Sequence, residues 1–195
     1  MTIAFVLGNG TSRADIRVDE LQKYGSIYGC NALYRTAKPT VLIATDQPIA
    51  TAIQDSGYSL KNRFYTRKPI DGLGAVRIPP DYYGYSSGPI AVGIAAMDRA
   101  QRIYMLGFDM GPAKNNKINN LYAGTEYYKS ADSQPTYTGN WVRQLTKIIN
   151  EYPKIKFVRV CGPATAKIVE LEALPNLVHI DITSFQNRIN NQKDL

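Results

Sequence analysis

Ile3–Leu7, the first apolar run of the chain, leads straight into Gly8-Asn9-Gly10-Thr11-Ser12. Glycine permits positive φ and lets bare backbone N–H groups approach a ligand, while Asn9 and Ser12 add side-chain donors and acceptors. Such a turn suits the binding of a nucleotide, although Gly-x-Gly also occurs in loops that bind nothing. Four more polar clusters follow other short apolar runs or open a helix. They are Cys30-Asn31, Thr45-Asp46-Gln47, Tyr85-Ser86-Ser87-Gly88 and Gly107-Phe108-Asp109.

The apolar runs that must position these clusters are Ile3–Leu7, Ser26–Cys30, Thr40–Ala44, Ala75–Ile78, Arg102–Leu106, Ile155–Val160 and Leu177–Ile182. They are rich in Val and Ile and read as strands. Segments with helical spacing lie between several of them. Pro48–Ser56 follows Asp46 as an N-cap, and Pro89–Ala100 carries Ile90, Ala91, Ile94 and Ala95. Asn140–Tyr152 aligns Trp141, Leu145, Ile148 and Ile149, and Thr165–Ala173 turns Ile168, Val169 and Leu171 inward. Strand–helix alternation predicts an α/β, Rossmann-like domain spanning 1–195, with a mainly parallel sheet and helices on both faces. Continuous apolar strands fit a sheet buried on both sides. Ligands of such folds sit at the carboxyl ends of the strands, where all five clusters fall.

From Asp109 to Pro135 no periodicity is visible, and Asn, Lys, Gly and Tyr dominate. A long irregular stretch of this kind reads as a lid, here over 110–137, mobile without ligand and ordered with it. The tail Asn187–Leu195 is polar and expected to fray.

The chain has a net charge of +7, with its densest basic stretch at Lys61, Arg63, Arg67 and Lys68. A solvated face is the plainest account of that stretch; a phosphate-bearing ligand or an anionic polymer would also suit it. Scattered basic residues and tyrosines without RNA-module spacing argue against a nucleic-acid partner. The single histidine, His179, alternates with Val178 and Ile180 in a strand-like run and reads as structural. With one histidine, and with Cys30 and Cys161 lacking ligand spacing, no metal site is predicted. The N-terminus shows no signal-peptide pattern and Ile3–Leu7 is too short to span a bilayer, so a cytoplasmic protein is expected. A homo-oligomer stays open.

The order Gly8-Asn9-Gly10-Thr11-Ser12, Gly29-Cys30-Asn31, Ala44-Thr45-Asp46, Ser86-Ser87-Gly88 and Leu106-Gly107-Phe108-Asp109 resembles one superfamily. It comprises bacterial lipooligosaccharide sialyltransferases and 6-hydroxymethylpterin pyrophosphokinase-like proteins. The short, lid-bearing form is also similar to proteins carried in phage genomes. The resemblance covers about the first 110 residues by motif and the rest by layout. It implies a nucleotide or nucleotide-sugar ligand, of CMP-sugar type, bound by Asn9, Ser12, Asn31, Ser86, Ser87 and Gly88. It also implies that Tyr122, Tyr127 or Tyr128 stabilises the leaving phosphate from the lid. The family's general base is a lid histidine, which this chain lacks. Asp46 or Asp109 would then deprotonate the acceptor or hold Mg²⁺, or would bind a ribose hydroxyl or cap a turn. Three functions are compatible with these residues: glycosyl transfer from a nucleotide sugar, ATP-dependent pyrophosphoryl transfer, and nucleotide binding without catalysis. The acceptor is not specified by the sequence.

Overall fold

Every apolar run that ends in a polar or glycine turn forms a strand, and all pairings between strands are parallel. The computed structural model describes residues 1–191. Its strands are β1 (Ile3–Leu7), β2 (Ser26–Cys30), β3 (Val41–Ala44), β4 (Phe64–Thr66), β5 (Val76–Arg77), β6 (Arg102–Leu106), β7 (Lys156–Cys161) and β8 (Leu177–Asp181). They form one open sheet in the order β5-β4-β3-β2-β1-β6-β7-β8. The chain builds outward from β1 to β5, returns to the other side of β1 with β6, and continues to β8. The order therefore reverses between β1 and β6, and an open parallel sheet leaves a crevice at that point.

The helices are α1 (Val18–Leu21), α2 (Gln47–Asp55), α3 (Tyr58–Lys61), α4 (Ser87–Met97), α5 (Gly139–Glu151), α6 (Val169–Glu172) and α7 (Ile182–Asn191). One face of the sheet packs Val6, Ile43 and Met105 against α4, α5 and α6. The other packs Phe5, Leu7, Leu42 and Leu106 against α1, α2 and α7. Burial on both faces explains why the central strands read as unbroken apolar runs. Helix α4 is buried from Ile90 to Ala96 and apolar all round, so it lies deep under β1–β3.

Four local expectations change. Strand β4 lies inside the basic stretch, where Phe64 and Thr66 are buried and Tyr65 is flanked by Arg63 and Arg67. The helix expected over Thr165–Ala173 shrinks to α6, because Thr165 and Ala166 bond instead to Asp109. Val169, expected to face inward, is 81% exposed. The tail expected to fray is helical through Asn191, with Ile189 buried against the sheet; residues 192–195 lie outside the described residues. Asp46 does occupy the N-cap position of α2, but its side chain makes no capping bond. Among the described residues no helix is long and apolar enough to cross a membrane.

Candidate functional site

The two glycine turns at the β1/β6 crevice are packed backbone against backbone. Gly8 N donates to Leu106 O at 2.8 Å, and Gly10 N donates to Gly107 O at 2.9 Å. A Cβ on Gly8 would lie 2.6 Å from Gly107 O, and one on Gly10 would lie 2.5 Å from Asp109 Oδ2. Gly107 itself has φ +72°, a conformation that favours glycine. The expectation that the glycine amides of this turn are offered to a ligand is therefore corrected. Gly8 and Gly10 spend theirs on the β6 turn, Thr11 N donates to Asn119 Oδ1, and Ser12 N donates to Asp109 Oδ2. Thr11 Oγ1 also donates to Asn119 Oδ1, and neither Thr11 nor Ser12 lines the cavity described next.

Above these turns is a cavity of about 410 Å³ along the carboxyl ends of the strands. Its wall includes Gly8, Asn9, Gly10, Asn31, Asp46, Ser86, Ser87, Gly88, Asp109, Tyr127 and Tyr128 from the expected set. The size is that of a small-ligand pocket. Residues expected only from their position after separate strands are thus gathered in one place.

Their hydrogen bonds divide them by role. Ser87 is 5% exposed and ties three elements together. Its Oγ accepts from Thr45 N at 3.0 Å, pairs with Thr45 Oγ1 at 3.0 Å and donates to Asn31 Oδ1 at 3.2 Å. Ser86 is engaged as well, by Trp141 Nε1 at its hydroxyl and Gln144 Oε1 at its amide. Asn31, at φ +50°, gives its carbonyl to Ser87 and turns its amide NH2 toward no described partner. We expect Ser87→Ala to destabilise the fold by about 1–3 kcal/mol, because it orphans the buried Thr45 amide. Urea denaturation tests this; wild-type stability would mean that the three bonds contribute nothing.

Asp109 is 3% exposed and acts as a brace. Oδ1 accepts from Thr165 Oγ1, and Oδ2 accepts from Ser12 N and Asn119 Nδ2, each at 3.0 Å. Asp46 is exposed on the cavity wall, and its carboxylate has no hydrogen bond or ion pair among the described residues.

The segment expected as a lid contains no helix or strand between Leu106 and Gly139, and forms one wall of the cavity. It is pinned by Leu121 N to Asn9 O at 2.8 Å and by the Thr11–Asn119 bonds. Arg35 holds it further out, at Thr125 Oγ1 and Glu126 O. The Tyr128 hydroxyl accepts from Ala32 N at 3.3 Å and Asn9 Nδ2 at 3.4 Å. Burial pushes its pKa up to about 12, so it stays protonated at neutral pH. With both bonds accepted, its own proton is free for a group in the cavity. Tyr122 does not line the cavity: it packs on Tyr128 at 5.6 Å and faces a separate groove beside Arg13. Tyr127 is exposed on the rim under Arg35.

The sequence does not place Arg67, Lys129 or Arg159 at the site, although Arg67 belongs to the basic stretch. Arg67 and Lys129 bring positive charge to the wall. Buried Arg159 donates to Phe108 O and Asp109 O and so fixes the loop after β6; burial lowers its pKa. Arg67 follows a short strand inside the basic stretch, which reads most plainly as a solvated face, and Arg159 sits in the middle of an apolar run with no local signal. His179 lies in β8 opposite Arg159, away from the cavity wall, and burial lowers its pKa. Among the described residues no cluster of three or more His, Cys, Asp or Glu could hold a metal. Compared with known proteins, the chain matches no family model, no curated protein and no solved structure.

Proposed function

We propose that the protein is a nucleotide-dependent transferase that moves a glycosyl group from a nucleotide sugar, of CMP-sugar type, to a hydroxyl acceptor. The observation that carries this reading is the Tyr128 hydroxyl. It is protonated, held by two donors, and carried by a residue of the irregular segment that lines a cavity at the switch point of a parallel sheet. Such a donor stabilises charge developing on a leaving phosphate. Asp46, the carboxylate with free lone pairs, takes the acceptor proton as the new C–O bond forms and the bond to phosphate breaks. The motif order resembling the sialyltransferase superfamily supports the same chemistry.

Pyrophosphoryl transfer would need Asp46 and Asp109 together on Mg²⁺, and Asp109 is already engaged by three donors. A thermal-shift panel of CMP, UDP, GDP, ADP, ATP and CMP-sialic acid, with and without Mg²⁺, tests the proposal. A ligand at a hundred times its Kd stabilises by about 2.7 kcal/mol. Stabilisation by a cytidine nucleotide, with slow consumption of its sugar form, is expected. No response to any nucleotide would sink the reading, and binding without turnover would leave a nucleotide-binding protein.

A further inference from the structure

Arg67 stands immediately after β4, beside Thr45, because Thr66 pairs with Ala44. One guanidinium nitrogen, Nη2, donates to Tyr85 O at 2.8 Å. Its Nε is buried without a partner, and the side chain forms no ion pair among the described residues. A guanidinium has five N–H donors and no acceptor, so a cation half-buried in this way is short of acceptors. The two buried arginines, by contrast, are bonded: Arg13 donates to Gly8 O and the Tyr122 hydroxyl, and Arg159 donates to two backbone carbonyls.

The surroundings favour an anion at Arg67. Tyr85, whose carbonyl holds the guanidinium, directly precedes Ser86, the N-cap of α4, which makes no side-chain capping bond. The positive end of that helix and Lys129 add to the same potential. The carboxylates on the wall are Asp46 and Asp109, and Asp109 is turned to its own three donors. Toward β1 the wall adds the uncharged Asn9, Asn119 and Asn120 beside Asp109. Tyr128 is bonded at the ends of β1 and β2, whereas Arg67 follows β4. Strand spacing puts the ends of β2 and β4 roughly 10 Å apart, so the two residues meet different parts of a ligand.

We propose that Arg67 binds an oxyanion on the substrate, a carboxylate or a phosphate, distinct from the phosphate that departs under Tyr128. The transferred group or the acceptor is therefore itself acidic. This rests on the transferase reading only for which group leaves. A guanidinium matches both oxyanions through paired N–H donors, and lysine does not reproduce that fork.

The test is calorimetric titration of wild type, Arg67→Gln and Arg67→Lys at constant ionic strength. The probes are inorganic pyrophosphate, N-acetylneuraminate and neutral N-acetylmannosamine, together with the nucleotides of the panel. Wild type is expected to bind one of the two oxyanions and not the neutral sugar. Arg67→Gln should weaken that binding at least tenfold, and Arg67→Lys should fall between the two. Preference for N-acetylneuraminate assigns a carboxylate, and preference for pyrophosphate assigns a phosphate. Both variants should unfold at the wild-type temperature, which Arg67→Lys secures if the glutamine variant does not. Binding of neither oxyanion by wild type, or equal affinity in Arg67→Gln, would overturn the proposal. Oxyanion binding through Arg67 with no nucleotide response would instead sink the transferase reading alone.

Discussion

Tyr128→Phe is expected to lower turnover of the nucleotide sugar by roughly a hundredfold or more, with little change in nucleotide affinity. The hydroxyl is held by Ala32 N and Asn9 Nδ2 as an acceptor, which leaves its own proton for a group in the cavity that Tyr128 lines. In the ground state that proton faces a phosphate ester that needs little help. In the transition state the departing oxygen carries charge, so the interaction strengthens where it accelerates the reaction. Removing the oxygen also leaves the Ala32 amide without its partner, at a stability cost of about 1 kcal/mol. Tyr122→Phe is the control. Its ring packs on Tyr128 but the residue lines a separate groove, where among the described residues its hydroxyl accepts from Arg13 Nη2 alone, at 3.5 Å. Its turnover should remain within severalfold of wild type. Initial rates and calorimetric Kd values on the two variants decide the matter. A fully active Tyr128→Phe, or an inactive Tyr122→Phe, would remove Tyr128 from the chemistry.

The contrast between these two tyrosines shows what the sequence could and could not reveal. Strands β1, β2 and β6 were readable because burial on both faces demands an unbroken apolar run, and the residues after them had to lie on one edge. Strand β4 was not, since Phe64-Tyr65-Thr66 is only three residues long and is enclosed by Arg63 and Arg67. Missing it meant missing Arg67 as a cavity residue. Local sequence also cannot say where a polar group spends its hydrogen bonds. Ser87 looked like a ligand contact, yet its hydroxyl serves Thr45 and Asn31, residues distant in sequence. The Gly8-Asn9-Gly10 turn reads as bringing bare amides to a nucleotide, yet its glycine amides pair with Leu106 O and Gly107 O at the end of β6. Its glycines answer to a close approach of two backbones rather than to a ligand.

Asp46 and Asp109 were interchangeable candidates by sequence, and the structure gives them opposite expected phenotypes. Asp46→Asn should leave stability unchanged, since the carboxylate makes no hydrogen bond or ion pair among the described residues. If it accepts the acceptor proton, its loss should reduce turnover by about a hundredfold to ten-thousandfold. Asp109→Ala should unfold readily. It strips partners from Ser12 N, Asn119 Nδ2 and Thr165 Oγ1, at about 1–3 kcal/mol for each donor left buried, so a total near 3 kcal/mol or more is expected. Asp109→Asn is the informative variant. Its amide oxygen can still accept from Ser12 and Asn119, and its NH2 can donate to the Thr165 hydroxyl, which already accepts from Gly162 N. The brace therefore survives without the negative charge, and activity should survive with it. Urea denaturation and initial rates on the three variants separate brace from base. A folded but inactive Asp109→Asn, beside a fully active Asp46→Asn, would move the base to Asp109.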